Sequence, residues 1–285
     1  MQNILWFIGL AIIGILSAIY AIYKKKHIYK ISTFFVFYLF AASIAWCGEF
    51  LVLGLFNSYA YKTGVLQDVW AQNLLGHLIL NTTLYPSAAV VMVAFSFKFG
   101  WISFVAALFT AIEYVFVNLR LYEQHWWRYY MTAIAVVGIL LFDNMWFPKI
   151  NKKCYGLNRA FVFYFVAMII VHIPAPILLL MSKQYYKLGF VNKFFGDIYL
   201  SSIIIIFFYH MIEAFLLVLF TCILKKWYWS VLPFIISIVA QSIFVKMGIL
   251  IIESGWNLVY TLILYEIFIA IFILIEKYTV RPQKY

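Results

Sequence analysis

The sequence predicts an all-α, polytopic integral membrane protein, and three observations carry that reading. Of 285 residues, 67% are hydrophobic and 11% charged, against about 25% charged in ordinary soluble domains. A soluble fold of this length must clothe itself in polar atoms and cannot hide that much apolar surface. The mean hydropathy is +0.98. Finally, a bilayer core of about 30 Å calls for about 20 apolar residues at 1.5 Å each. That length fits the chain nine times, over 3–23, 31–56, 71–97, 101–121, 131–147, 159–181, 198–222, 229–252 and 256–276.

Taken in order, the first segment has no basic leader and no small-residue cleavage site, and KKKHIYK follows it. It reads as a retained helix and not as a signal peptide. Pro86 interrupts the third span, Pro174 and Pro176 the sixth, and Pro233 the eighth. Such breaks either free backbone carbonyls beside a cavity or kink a helix for packing. The connectors are short, and YEQHWWRYY and KKWYW read as aromatic belts at the two interfaces. The organisation expected is an N-terminal helix and basic loop over 1–30, a four-helix unit over 31–150 and a second over 151–285.

Lys and Arg number 21 against 10 Asp and Glu, a net charge of +11. In a soluble protein this would point to nucleic acid; here it is the basic bias of cytoplasmic loops, and no nucleic-acid partner is expected. With the N-terminus outside the cell membrane and the C-terminus inside, 14 of the 21 fall on the cytoplasmic side, among them Lys24, Lys98, Lys153, Arg159, Arg281 and Lys284. Cys47, Cys154 and Cys222 lie far apart without a CxxC, so neither a disulfide framework nor a zinc site is implied. No nucleotide-binding or nucleophile-elbow motif is present and no cofactor is expected, while NTT at 81–83 lies inside a span, which excludes it as a glycosylation acceptor.

The chain carries the marks of a tandem duplication. AYKTGVL (60–66) matches YYKLGFV (185–191), WISFVAALFTAIEYVFV (101–117) matches WSVLPFIISIVAQSIFV (229–245), and EQHWW (123–127) matches ESGWN (253–257), at offsets of 125, 128 and 130. Spans two to five thereby correspond to six to nine. Four spans is an even number, so the units are expected to be parallel and related by an axis along the membrane normal.

GEFLVLGLFN and IEYVFVNLRLYEQHWWRYYMT, within 48–140, resemble an uncharacterised family of small multi-pass membrane proteins from spore-forming Bacillota, which share a Glu-Tyr in one helix and a following Trp-Trp turn. The second unit departs from that pattern, with Gln241-Ser242 where the first has Glu113-Tyr114. The resemblance implies a membrane location and a bacterial origin, and carries no catalytic role.

Ionisable and polar groups at membrane depth are costly and mark functional pathways by default. Those in the spans are Glu49, His77, Glu113, His172, His210, Glu213, Lys246 and Glu266, together with Gln241, which replaces Glu113 in the second unit. Arg120 and Asp143 fall near span ends. Lys246 and Arg120 read as snorkelling to the interface, and a lone histidine such as His77 as an interhelical contact. Glu49 and Glu113 must take a proton or pair with a cation such as Arg120, Lys246 or a protonated His. His210 and Glu213 share a helix face at i,i+3, as a pair or proton relay; no further ligand at metal-site spacing accompanies them.

Three readings follow. The first is a bacterial transporter, permease or flippase-like protein for a small solute or lipid, with a polar cavity between the units in the outer half of the bilayer and Glu49 and Glu113 as proton or cation sites. The second is a non-catalytic accessory or sensor whose buried polar groups only lock helices together. The third is an intramembrane lipid-modifying enzyme, with Glu113 or Glu213 as general acid.

Overall fold

A computed structural model describes residues 2–152 and 154–280. The chain is 78% helical with almost no sheet. Among the described residues nine helices are long and apolar enough to cross a membrane, which makes it a polytopic membrane protein of the helical class. Lys153, Arg281 and Lys284, counted above as cytoplasmic, lie outside the described residues. Two compact units divide the chain between 153 and 154.

The first unit holds α1 (Gln2–Lys25), α2 (Ile31–Glu49), which passes into a π-helical stretch (Phe50–Leu55), strand β1 (Tyr59–Tyr61), α3 (Val69–Thr82), α4 (Leu84–Ala94), α5 (Phe99–Asn118), strand β2 (Tyr122–Gln124) and α6 (Tyr129–Lys152). The second holds α7 (Gly156–His172), α8 (Pro174–Leu180), strand β3 (Gln184–Tyr186), the short α9 (Gly189–Phe195), α10 (Ile198–Val218) with a π-helical end (Leu219–Ile223), a 3₁₀ turn (Trp227–Val231), α11 (Leu232–Lys246), strand β4 (Leu250–Ile252) and α12 (Leu258–Tyr278).

Helix α1 packs on α3 and α4, so it is part of the first unit's core. Phe7 is fully buried, its ring 5.2 Å from Phe116 and 6.0 Å from Tyr61. Asp68, Asp197 and Asn257 cap α3, α10 and α12, each accepting from the backbone N–H three residues on, which satisfies a donor the first turn leaves orphaned.

The proline breaks fall as expected in two spans. Pro86 offers no N–H to the Thr82 carbonyl, and α3 gives way to α4 at Thr83; the hydroxyl of Tyr38 donates to that freed carbonyl at 2.6 Å. Pro174 opens α8 directly after α7 ends at His172. Pro233 instead stands in the first turn of α11, where a missing N–H costs nothing. Pro148 lies inside α6, which runs to Lys152 and not to 147.

Short strands are the feature that hydropathy missed. β1 pairs antiparallel with β2, and β3 with β4. The 56–68 and 119–128 connectors therefore lie at one end of the first unit, and the 181–197 and 247–257 connectors at one end of the second. The apolar run predicted as a span over 229–252 stops at Lys246, and its last three residues are β4. Gly76 lets α3 press against β1, since a Cβ there would stand 2.6 Å from Tyr61 Cβ.

Candidate functional site

The site grows out of the paired-strand end of the first unit. On the paired β1 and β2, Tyr59, Tyr61 and Tyr122 fall on one face and Ala60 and the exposed Glu123 on the other, so period-two strand geometry turns the three tyrosines toward the helices. Their ring centroids lie 4.8–5.6 Å apart. The backbone N–H of Tyr61 donates to Asn73 Oδ1 on α3 at 2.6 Å. Trp126 and Trp127 pin the turn after β2: Trp126 Nε1 donates to the Phe56 carbonyl at 2.8 Å and Trp127 Nε1 to Thr132 Oγ1 at 2.7 Å. The Trp-Trp pair is thus divided, with Trp126 exposed as an interfacial anchor and Trp127 turned inward.

Between these groups and the α3–α4 break lies a cavity of ≈ 230 Å³, lined wholly by residues of the first unit. Glu49 reaches it from the last residue of α2, where the helix passes into its π stretch, a local irregularity that often accompanies functional sites. Glu49 is only half-buried because the cavity itself reaches its side chain. Tyr59, Tyr61 and Asn81 are its polar neighbours, and its Oε1 has no partner in hydrogen-bonding geometry. Glu113, from α5, is 8% exposed. Gln124 Nε2 donates to its Oε1 at 2.8 Å, while Oε2 has no partner. None of the described residues lining the cavity is Lys, Arg or His.

This corrects the pairing expected for Glu113. Arg120 is exposed, with φ +57 at the turn where α5 hands over to β2, and its side chain makes no ion pair with Glu113; the acid is held by a neutral amide. Lys246 is exposed at the end of α11, as a snorkelling lysine should be. His77 stands one turn before Asn81 and not on the cavity wall. Asn81 Nδ2 lies 2.9 Å from His77 Nδ1, and the ring lies 4.2 Å from Trp46. Asp143 is not at a span end but fully buried within α6, accepting from the hydroxyl of the cavity residue Tyr85 at 2.9 Å.

The remaining candidates gather inside the second unit. His172 and His210 face each other through their Nδ1 atoms at 3.1 Å, so one donates and the other accepts. His210 Nε2 lies 3.7 Å from Glu213 Oε2, beyond a hydrogen bond. Glu266 is within electrostatic reach of Glu213, and Ser237 is the polar neighbour of both acids. Gln241 is fully buried; Tyr186 donates to its Oε1 at 3.2 Å and its Nε2 points to the Tyr209 hydroxyl at 3.5 Å. His172 therefore joins this network and not the group of Glu49, Glu113 and His77. Among the described residues no three His, Cys, Asp or Glu side chains gather as metal ligands.

Sequence reasoning missed Tyr59, Tyr61, Asn81, Gln124, Trp127 and Thr132. The alternation in YAYK and YEQ was the available signal, masked because three-residue strands are too short for a periodicity count.

No protein family, curated protein or solved structure matches the chain.

Proposed function

We propose that the protein is a permease of the bacterial cell membrane that exchanges protons for a small cationic solute at the cavity of its first unit. The observation that carries this reading is that Glu49 and Glu113 line one cavity on which no basic side chain stands. A carboxylate at membrane depth without a counter-charge is costly, and a proton or a cation relieves it. Two such groups with neutral neighbours make a site at which proton and solute compete. The interrupted α3–α4 span beside the cavity fits this reading, since broken helices border solute sites in transporters.

On this reading the N-terminus is outside, the C-terminus inside, and the paired strands and cavity face the outer half of the bilayer. The resemblance of Glu113-Tyr114 and Trp126-Trp127 to the Bacillota family is taken up as part of the same proposal. Internal duplication is part of the proposal. Supporting it, Lys62 and Lys187 N–H donate to the Leu121 and Ile249 carbonyls, and Trp127 and Trp256 donate to Thr132 and Thr261. Arg120 and Gly248 occupy the same left-handed turn at an offset of 128.

The test is proton flux in proteoliposomes loaded with acid and a pH-sensitive dye, challenged outside with inorganic cations and with alkylated ammonium ions. At least one cation should drive lumenal alkalinisation, and Glu49→Gln and Glu113→Gln should abolish it. Absence of cation-driven flux for every solute would leave the accessory reading.

A further inference from the structure

We infer that the solute bound in the first unit's cavity is a small alkylated ammonium ion and not an inorganic cation. The inference rests on the reading of this cavity as the solute site and names the chemistry it selects.

Charge comes first. Glu49 and Glu113 both line the cavity and no basic group stands on its wall, so two acids without a counter-charge call for a positive ligand. Size and lining then separate the cations. At ≈ 230 Å³ the cavity matches the volume of about eight liquid waters, at roughly 30 Å³ each. Hard inorganic cations want a shell of oxygen ligands, about six to eight of them at ~2.3–2.6 Å for calcium. This wall is instead mostly aliphatic and aromatic, with Val52, Leu80 and Ile112 among its aliphatic members, a surface that offers a bare inorganic ion nothing over most of its area. An ammonium carrying alkyl groups fills the volume with its body and sets its charge against the acids, the usual division in small-molecule sites.

The aromatic rings supply the second half of the recognition. Tyr59, Tyr61, Tyr122 and Trp127 line the cavity as one cluster, Trp127 lying 5.7 Å from Tyr59. Ring faces attract alkylated ammonium ions, whose charge is spread and weakly hydrated, better than strongly hydrated small ions. The protein's own cations are engaged elsewhere: among the described residues Lys24, Lys25, Lys26, Lys149, Arg159, Lys226 and Lys277 sit over rings, and none of those rings lines the cavity. Among the described residues no internal cation stands over the rings of Tyr59, Tyr61, Tyr122 or Trp127.

The experiment is equilibrium dialysis of labelled tetramethylammonium with the full chain in detergent. This ion has no dissociable proton, so it also serves in the flux assay without carrying protons itself. Saturable binding is expected, undisturbed by an equal concentration of potassium and lost in Glu49→Gln. Tyr122→Leu should bind about five- to tenfold more weakly and Tyr122→Phe, which keeps a ring face, should lose less, with both variants eluting as the parent does in gel filtration. Absence of saturable binding, displacement by potassium, or equal loss in Tyr122→Phe and Tyr122→Leu overturns the inference. Flux driven by potassium alone, without tetramethylammonium binding, refutes it and leaves the permease reading standing. Binding without flux does the reverse.

Discussion

Gln124 donates to Glu113 across 2.8 Å, so the buried acid of α5 is held by a neutral amide on β2. This bond couples the paired strands to the acid, since β2 is fixed in turn by β1. Gln124→Ala removes the donor and leaves Glu113 Oε1 as bare as its Oε2. A buried acceptor deprived of its partner costs about 1–3 kcal/mol. We expect a lowered Tm, with Gln124→Asn no better because its shorter arm does not span the gap. Unchanged thermal stability of both variants would show that the bond contributes nothing.

Arg120 separates a charge role from a backbone role. Its φ of +57 places an L-residue in the left-handed region, which costs roughly 1 kcal/mol for anything but glycine. Its side chain is exposed. Arg120→Gly should therefore hold or raise thermal stability and leave proton flux intact. A loss of flux with the fold preserved would restore Arg120 as a counter-ion for Glu113.

Gly76→Ala tests the close approach of α3 to β1. The added Cβ would meet Tyr61 Cβ and Cγ at 2.6 and 2.7 Å, atoms too near the backbone to swing aside. Overpacking of this kind costs about 1–3 kcal/mol. Because Tyr61 is also a cavity ring, the variant should weaken tetramethylammonium binding as well as lower Tm. Gly138→Ala, where a Cβ meets nothing within 4 Å, is the control expected to change neither.

The helical class and the helices' approximate positions were legible in the sequence because a transmembrane span needs only length and hydropathy, which are local. The site was legible in part. Glu49 and Glu113 stood out as acids in apolar runs, and they do share a cavity. Their partners did not stand out, because Tyr59, Asn81 and Gln124 become polar neighbours only through a strand pairing and a helix break that bring distant segments together. Trp127 shows the limit well: its composition says interface, and only its bond to Thr132 turns it toward the cavity. His172 shows the opposite limit, since its partner His210 lies 38 residues away with no spacing rule to connect them.

Lys62 and Glu123 form an exposed ion pair across β1 and β2. The hydrogen bond and charge of Lys62 hold the Glu123 carboxyl below the usual carboxylate range. A lowered value in the folded state means the pair stabilises above the ordinary value of about 4.3 and loses that contribution as pH falls through the folded value. Both side chains are about half exposed, 46% and 51%, so screening limits the gain to roughly 0.5 kcal/mol or less. The Tm difference between the parent and Glu123→Gln should be small at pH 7, shrink as pH falls through the folded value, and be absent in high salt. A difference that does not shrink with acid would assign the effect to something other than this pair.

Arg159 and Glu276 close the other end of the second unit, away from β3 and β4. Arg159 Nε donates to Glu276 Oε1 at 3.0 Å, Nη1 to the Val280 carbonyl at 2.8 Å, and its guanidinium lies 4.4 Å from the centre of the Phe163 ring. The side chains are 9% and 14% exposed. Removing one partner of such a pair leaves a charge that neither water nor protein satisfies, at about 3–5 kcal/mol. Arg159→Gln should therefore be strongly destabilising. Arg159→Lys keeps the charge but loses the fork and the stacking, and should fall between Gln and the parent. Equal stability of Arg159→Lys and the parent would reduce the contact to simple charge pairing.

The orientation is tested by thiol labelling in intact cells, and the native thiol between α6 and α7 is the wrong probe. Cys154 is 5% exposed, and burial pushes its thiol up to about 11; the thiolate is the reactive form, so Cys154 stays unlabelled from either side. Introduced cysteines must stand on exposed connectors instead. Tyr61 is buried behind β1, whereas Lys62, Lys187, Lys98 and Lys225 are exposed. In a chain freed of its three native cysteines, an impermeant reagent should label Lys62→Cys and Lys187→Cys in intact cells, and Lys98→Cys and Lys225→Cys only after lysis. Strand pairing already requires Lys62 to share a side with Glu123, so Glu123→Cys must follow Lys62→Cys whichever way the chain is inserted. Labelling of Lys98→Cys and protection of Lys62→Cys in intact cells would invert the orientation and put the cavity on the cytoplasmic side.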